Sequence, residues 1–222
     1  MKKIAVIVAG GNGSRMKAAM PKQFLTLKGK SILFYSLDTF LKAYDDMHII
    51  LVLPAEYVTE GEKIAKELNA ADRISITTGG ETRFHSVQNG LSLIKEESIV
   101  FVHDGVRCLL STKLIQHCYN VALETGSAIP VINSKDSVRM VTGENSHVIE
   151  RDRIKLVQTP QTFHSKILLP AYQIDYKPKF TDEATVVEAF GLKVTLVKGE
   201  ESNIKITNPV DLLIAEKILE ER

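Results

Sequence analysis

The sequence predicts an α/β fold: a three-layer, mostly parallel twisted sheet with helices on both faces and one inserted β-hairpin. Three observations carry that prediction. Short apolar, β-branched runs alternate with amphipathic helical stretches along most of the chain, the pattern of a sheet covered on both sides. No shift in composition and no internal repeat divides residues 1–222, so one domain is expected. A single stretch, residues 133–155, breaks the rhythm with two short β-compatible runs and no helix pattern.

The elements follow in order. Ile4–Val8, Ile49–Leu53, Ile74–Thr77, Ile99–Val102, Ala128–Ile132 and Val194–Val197 read as strands. Ser31 opens one helix, and Thr82 caps another that runs through Val87, Leu91 and Ile94. Ser111 or Thr112 caps a third, with Leu114, Ile115, Cys118, Val121 and Ala122 on its inner face and Gly126 at its end. A last helix starts at Asn208 with Pro209 in its first turn, and Leu213, Ile214 and Ile218 are expected to point inward. Within the irregular stretch, Ser137–Thr142 and His147–Ile149 flank the polar segment Gly143-Glu144-Asn145-Ser146, which reads as a hairpin turn. An isolated hairpin is marginal in water, so this arm is expected to pack on something.

Composition excludes several classes. With 28 Lys+Arg against 27 Asp+Glu and a formal charge of +1, the chain lacks the basic excess of a nucleic-acid binder. Forty-four per cent hydrophobic residues argue against disorder. Two cysteines, Cys108 and Cys118, form neither a disulfide framework nor a zinc site, and Cys118 belongs to the core face of its helix. No run approaches the roughly 20 apolar residues of a membrane span. The opening Met1-Lys2-Lys3 mimics a signal peptide, but its apolar run is short and meets glycines. A cytoplasmic protein that engages no membrane and no nucleic acid is expected. Charge is unevenly spread, however: no acidic residue precedes Asp38, whereas Arg15, Lys22 and five other lysines do. That asymmetry is either a solvated basic face or the surroundings of an anionic ligand.

The ligand reading gains weight from Ala9-Gly10-Gly11-Asn12-Gly13-Ser14-Arg15-Met16, which directly follows the first strand. Glycines there let backbone N–H groups approach phosphate oxygens, and Arg15 and Lys22 supply charge suited to a triphosphate. Two better-known phosphate loops fail. Met16 stands where the dinucleotide fingerprint needs its third glycine, and Phe24 stands where the P-loop ending in Gly29-Lys30-Ser31 needs its first.

The spacing Gly-Gly-x-Gly-x-Arg-Met followed by Pro21-Lys22-Gln23 resembles nucleotidyltransferases that activate sugar and polyol phosphates. Val102-His103-Asp104-Gly105-Val106-Arg107, Gln158-Thr159-Pro160-Gln161, Thr181-Asp182-Glu183-Ala184 and Asn203-Ile204-Lys205-Ile206-Thr207 then occur in that order. Together these segments look like the 2-C-methyl-D-erythritol 4-phosphate cytidylyltransferase family of the non-mevalonate isoprenoid route. Ribitol-5-phosphate cytidylyltransferases are close relatives, and the Asn-Ile-Lys-Ile-Thr segment favours the erythritol enzyme.

The resemblance implies a reaction of CTP with a polyol phosphate, giving a CDP-polyol and pyrophosphate with Mg²⁺. The attacking phosphate is largely ionised near neutrality, its second pKa being about 6, so no general base is needed. Charge stabilisation and alignment remain as the catalytic means. By resemblance, Arg15 and Lys22 stabilise charge at the α-phosphorus, while Arg151 and Lys205 position the substrate phosphate. Ala9, Gly10, Gly11, Asn12, Gly13, Gly80, Glu81, Arg83, Ser86 and Gly105 match nucleotide-binding positions. Asp104, Arg107, Ser137, Thr159 and Thr181 match substrate-binding ones. Asp104 is also a candidate Mg²⁺ ligand; the bland alternative is an ion pair with Arg107 that stiffens the loop. Arg83 is either part of the base site or a first-turn surface residue. His103 is a structural neighbour, since this chemistry needs no proton shuttle. In similar enzymes the arm crosses to a second subunit, so Ser137 and Arg151 would complete the partner's site in a homodimer; the alternative for Arg151 is an ordinary solvated arginine. The chain departs from the usual pattern at Gly105 (alanine), Cys108 (proline), Ser137 (threonine) and Lys155 (tryptophan), the last bearing on the shape of the pocket.

Two readings from other classes remain. A glycosyltransferase with the same sheet would carry an Asp-x-Asp motif, which is absent. A non-catalytic nucleotide sensor would be expected to lose Arg15, Lys22, Arg151 and Lys205, all of which are present.

Overall fold

The computed structural model describes residues 1–10 and 20–221. The distal part of the glycine loop, with Gly11, Asn12, Gly13 and Arg15, lies outside the described residues.

Four strands form the parallel heart of the sheet: β1 (Lys2–Val8), β4 (Met47–Leu53), β5 (Ile74–Thr78) and β6 (Ser98–Asp104). The chain winds outward through β1, β4 and β5, then returns to place β6 on the other side of β1. The strand order therefore reverses at β1, and the crevice beyond the carboxyl ends of β1 and β6 is where such sheets bind ligands. Val8 and Asp104 are register partners there, and the Gly105 N–H donates to the Val8 carbonyl at 2.9 Å.

Past β6 the sheet becomes mixed. β11 (Gln161–His164) runs antiparallel to both β6 and β7 (Ser127–Asn133). β7 also pairs antiparallel with β10 (Lys155–Val157) and parallel with β12 (Leu196–Lys198). The remaining strands are two short ladders, β2 (Thr26–Leu27) with β3 (Lys30–Ser31), and β8 (Val138–Thr142) with β9 (Asn145–Ile149).

Alternate residues of the central strands feed two cores. Ile7, Leu51 and Phe101 face α1 (Ile32–Ala43), α2 (Val58–Glu67) and α4 (Thr112–Thr125). Val6, Val52 and Val102 face α3 (Arg83–Leu91), α5 (Ser165–Ala171) and α6 (Glu183–Ala189). The expected three layers are thus present. A third core around Val106, Leu109 and Ile206 is closed by α7 (Pro209–Glu220). Among the described residues, no helix is long and apolar enough to cross a membrane.

Several local expectations hold in detail. Ser31, Thr82 and Ser111 each cap a helix by accepting a backbone N–H three residues on, and Gly126 ends α4 in the left-handed region at φ +92°. The hairpin turn is tighter than expected. Asn145 and Ser146 already pair with Thr142 and Val141, leaving Gly143 and Glu144 as a two-residue turn with Gly143 at φ +60°.

Others are corrected. Ile94 is buried but lies beyond the end of α3. Val194 lies ahead of the strand expected at 194–197, which starts at Leu196. The inward face of α7 is Leu212, Ala215 and Ile218; Leu213 and Ile214 are exposed. The Asp211 carboxylate accepts the Thr207 and Asn208 N–H groups and so caps the start of that helix.

Candidate active site

The glycine-rich side of the crevice is built from backbone. The Ala9 N–H donates to Val52 and its carbonyl receives the Gln23 side-chain amide, which anchors the start of the glycine loop. The segment Gly79-Gly80 approaches from β5, with the Gly79 N–H on the Leu53 carbonyl. Both meet at buried Ser86, whose hydroxyl accepts the Gly80 N–H at 3.1 Å. A β-carbon on Gly79 would stand 2.9 Å from that hydroxyl and one on Gly10 at 3.6 Å, so the glycines permit this convergence. Glu81 is exposed at the mouth. Gly105 lies underneath, its carbonyl accepting from Ser36.

Beside this backbone lies a cleft of about 180 Å³, lined by Arg83, Asp104, Arg107, Thr159, Thr181 and Lys205 among others. Its centre is Asp104 at the end of β6. One carboxylate oxygen accepts from Arg83 Nε at 3.1 Å and the other from Lys205 Nζ at 2.7 Å. Burial alone would raise the Asp104 pKa, but Arg83 and then Lys205, with Arg107 behind them, hold it well below the usual carboxylate range. Arg83 in turn grips the fully buried Glu183. Burial works against the charge on Arg83, and Glu183 and Asp104 overcome it, so its pKa is raised.

Arg83 is half-buried and ion-paired to both Asp104 and Glu183. The Arg107 backbone N–H donates to the Asp104 carbonyl at 2.9 Å, but its guanidinium donates to the Asn203 carbonyl at 2.8 Å and not to the Asp104 carboxylate. Asn203 is a hub: its side-chain amide donates to the Thr159 carbonyl. Thr159 sits where antiparallel β11 begins, and its hydroxyl accepts the Asp104 N–H at 3.1 Å. His103 is wholly buried, with Nδ1 3.0 Å from the Thr159 hydroxyl and Nε2 3.2 Å from the Arg107 carbonyl. Burial pushes its pKa down to about 3, so it stays neutral and structural.

Lys22 is buried and donates to the Ile206 carbonyl at 2.8 Å, which brings the end of the glycine-loop segment against the 203–207 segment. Ser137 and Arg151 do not join this cleft. Ser137 is exposed at the base of the hairpin, and Arg151, in a single 3-10 turn, donates to Lys135. Lys155 also lies away from it, exposed on β10 with its ammonium on Asn133, whereas Val157 of the same strand lines it. Residues that the sequence reading left without a role are Gln158, Gln161 and Asp182, which line the cleft, and Glu183 behind it. Their only sequence signal is membership of the 158–161 and 181–184 segments.

As placed, Asp104 does not fit the role of a resident metal ligand. Both its oxygens are held by cations, and Asp182, the other acid on the cleft, spends its carboxylate capping α6 and accepting from Gln161. Among the described residues no group of three metal-ligating side chains exists.

A doubly covered α/β sheet with a glycine-lined crevice at its switch point, joined to a cationic cleft, has the arrangement expected of a nucleotidyltransferase. The comparisons narrow the class. The sequence model of the family described as IspD, 2-C-methyl-D-erythritol 4-phosphate cytidylyltransferase, matches residues 3–221, and the chain belongs to that family. It is 46% identical over 219 residues to the protein of that name from Phocaeicola vulgatus, covering 99% of this chain and all of the relative. The Bacteroides thetaiotaomicron protein is 44% identical over 220 residues, again covering 99% and 100%. Among solved structures, 4-diphosphocytidyl-2C-methyl-D-erythritol synthase from Anaerococcus prevotii superposes with a TM-score of 0.85 at 30% identity, covering 99% of this chain and 96% of that one.

Proposed function

We propose that this protein transfers the cytidylyl group of CTP to 2-C-methyl-D-erythritol 4-phosphate, releasing pyrophosphate and 4-CDP-2-C-methyl-D-erythritol. Family membership supports the reaction, and one observation carries its placement. The Asp104 carboxylate, fixed between Arg83 and Lys205, adjoins both the nucleotide crevice and a cleft rich in cations and hydroxyls. An anionic polyol fits that cleft: Asp104 and Thr181 meet hydroxyls, and Lys205 and Arg107 meet the phosphate. The phosphate oxygen attacks the α-phosphorus in line, and its own ionisation removes the need for a base. The buried hydrogen bonds of His103 agree with that economy. Arg15 and Lys22 stabilise the charge that develops as pyrophosphate leaves.

Mg²⁺ enters on the triphosphate rather than on a protein cage, since this ion is commonly bound through substrate phosphates and water. The protein works as a cytoplasmic homodimer. The β8–β9 arm, with exposed Met140, Val141 and Val148, reaches the partner subunit and supplies Ser137 and Arg151 there. Pyrophosphate release with CTP and Mg²⁺, offering methylerythritol phosphate and ribitol 5-phosphate in parallel, tests the assignment. Turnover of the first substrate is expected. Preference for ribitol phosphate would move the protein to its relatives' chemistry, and silence with both would favour a sensor.

A further inference from the structure

Glu183 is the first residue of α6 and is fully shielded from solvent. A carboxylate so placed requires partners. Arg83 provides a two-pronged contact, Nη1 to Oε1 at 2.5 Å and Nη2 to Oε2 at 3.2 Å, and the Tyr172 hydroxyl donates to Oε1 at 3.2 Å. Tyr172 is itself buried and stacks on Phe84, the residue after Arg83, at 4.8 Å. Glu183 does not line the cleft, whereas Arg83 and Asp104 do.

We propose that Glu183 is a positioning residue for the polyol-phosphate half of the reaction, holding Arg83 in the orientation from which Nε fixes the Asp104 carboxylate. This rests on the cytidylyltransferase reading. A guanidinium prefers to present two nitrogens to one carboxylate. With that edge committed to Glu183, only Nε reaches Asp104, and the second Asp104 oxygen stays on Lys205. Without Glu183, Arg83 turns its two-nitrogen edge to Asp104 and draws the carboxylate off Lys205 and the substrate. The charges follow the same logic: Glu183 offsets Arg83, so Asp104 keeps enough negative charge to hold Lys205 and a polyol hydroxyl. The pair also ties the start of α3, directly after the Gly79–Thr82 segment, to the start of α6, directly after Thr181 and Asp182 on the cleft wall.

The test is a mutant cycle read as pyrophosphate release from CTP with 2-C-methyl-D-erythritol 4-phosphate and Mg²⁺, with melting temperature recorded alongside. Glu183→Gln keeps the shape and removes the charge. It is expected to raise KM for the polyol phosphate about tenfold or more while KM for CTP changes less than about twofold. Combined with Asp104→Asn, it is expected to add no further loss, because Glu183 acts through Asp104. An unchanged KM for the polyol phosphate beside a lowered melting temperature, or losses that add, overturns the proposal. Should Glu183→Gln fail to fold, Glu183→Asp keeps the charge, shortens the reach and carries the same cycle. An unmodified protein that releases no pyrophosphate removes the underlying reading and this proposal together; an active one with additive losses removes only the role of Glu183.

Discussion

Lys22 and Ile206 lie 184 positions apart, yet the Lys22 ammonium donates to the Ile206 carbonyl at 2.8 Å. The bond makes the end of the glycine-loop segment and the 203–207 segment one wall. It places the ammonium beside the chain neighbour of Lys205, whose own ammonium holds Asp104. Two cations proposed to act on different phosphates are thus fixed against each other by backbone.

Lys22→Ala is therefore expected to lower kcat by on the order of a hundredfold or more, with a smaller change in KM for CTP, as when one preorganised donor to developing charge is lost. Steady-state kinetics decide it. A variant with near-normal kcat would assign Lys22 to the wall alone.

The arm carries a second expectation. Met140, Val141 and Val148 are each at least half exposed on a two-stranded ribbon that has no sheet behind it. Such ribbons are marginal alone, and Arg151 at their base stays outside its own chain's cleft. Inactive Lys22→Ala and inactive Arg151→Ala subunits, once exchanged into mixed dimers, should regain part of the activity through one site that carries neither change. Mixed dimers as inactive as their parents would place Arg151 and Lys22 in the same chain's site.

Much of this fold was legible in the sequence because its signals are local. The four central strands are apolar runs, and Ser31, Thr82 and Ser111 are caps whose side chains do what their position implies. β11 escaped because Gln161, Thr162 and His164 are buried polar residues in a strand; Gln161 is satisfied by Asp182 and the Ala184 N–H, which lie more than twenty positions on. The face of α7 is hard to read because apolar residues lie all round it: Leu212, Ala215 and Ile218 pack inward while Val210, Leu213 and Ile214 are exposed. In the site, resemblance picked out Asp104 and Lys205, but which cation pairs with Asp104 is decided by topology. Arg107, three residues away, turns to Asn203, whereas Arg83 and Lys205 arrive from other elements. Glu183 gave no signal of its own, since a lone glutamate at a helix start reads as a solvated first-turn acid.

Gly90 tests the packing that aims Arg83. It lies in α3 against β1 and β4, where a β-carbon would come 2.6 Å from Val6 Cγ1 and 3.0 Å from Val52 Cγ2. Both are branched side chains on central strands with no freedom to retreat. Gly90→Ala is expected to cost about 1–3 kcal/mol despite the better helix propensity of alanine. A thermal melt should show a fall of roughly 2–4 °C per kcal/mol for a chain of this size. An unchanged or raised melting temperature would mean that α3 lifts from the sheet without penalty.

His103 sets a pH window for stability. Its folded pKa is pushed to about 3 by burial, which outweighs the nearby Asp104 carboxylate, whereas an unfolded histidine titrates near ~6.5. Below that value the unfolded chain binds a proton that the folded one refuses. Stability is therefore lost as pH falls from about 6.5 towards 3, by up to about 1.4 kcal/mol per pH unit for this one group. His48 and His164 are also lowered by burial and act with the same sign, so the informative quantity is a difference. The Asp104 contribution has the same sign but starts only below about pH 4, the ordinary carboxylate range. Between pH 6 and 4.5, His103→Gln should therefore melt with a shallower pH dependence than the unmodified protein, even though it is less stable at pH 7. Parallel slopes across that interval would show that His103 accepts its proton without disturbing Thr159 and Arg107, and would end its assignment as a neutral strut under Asp104.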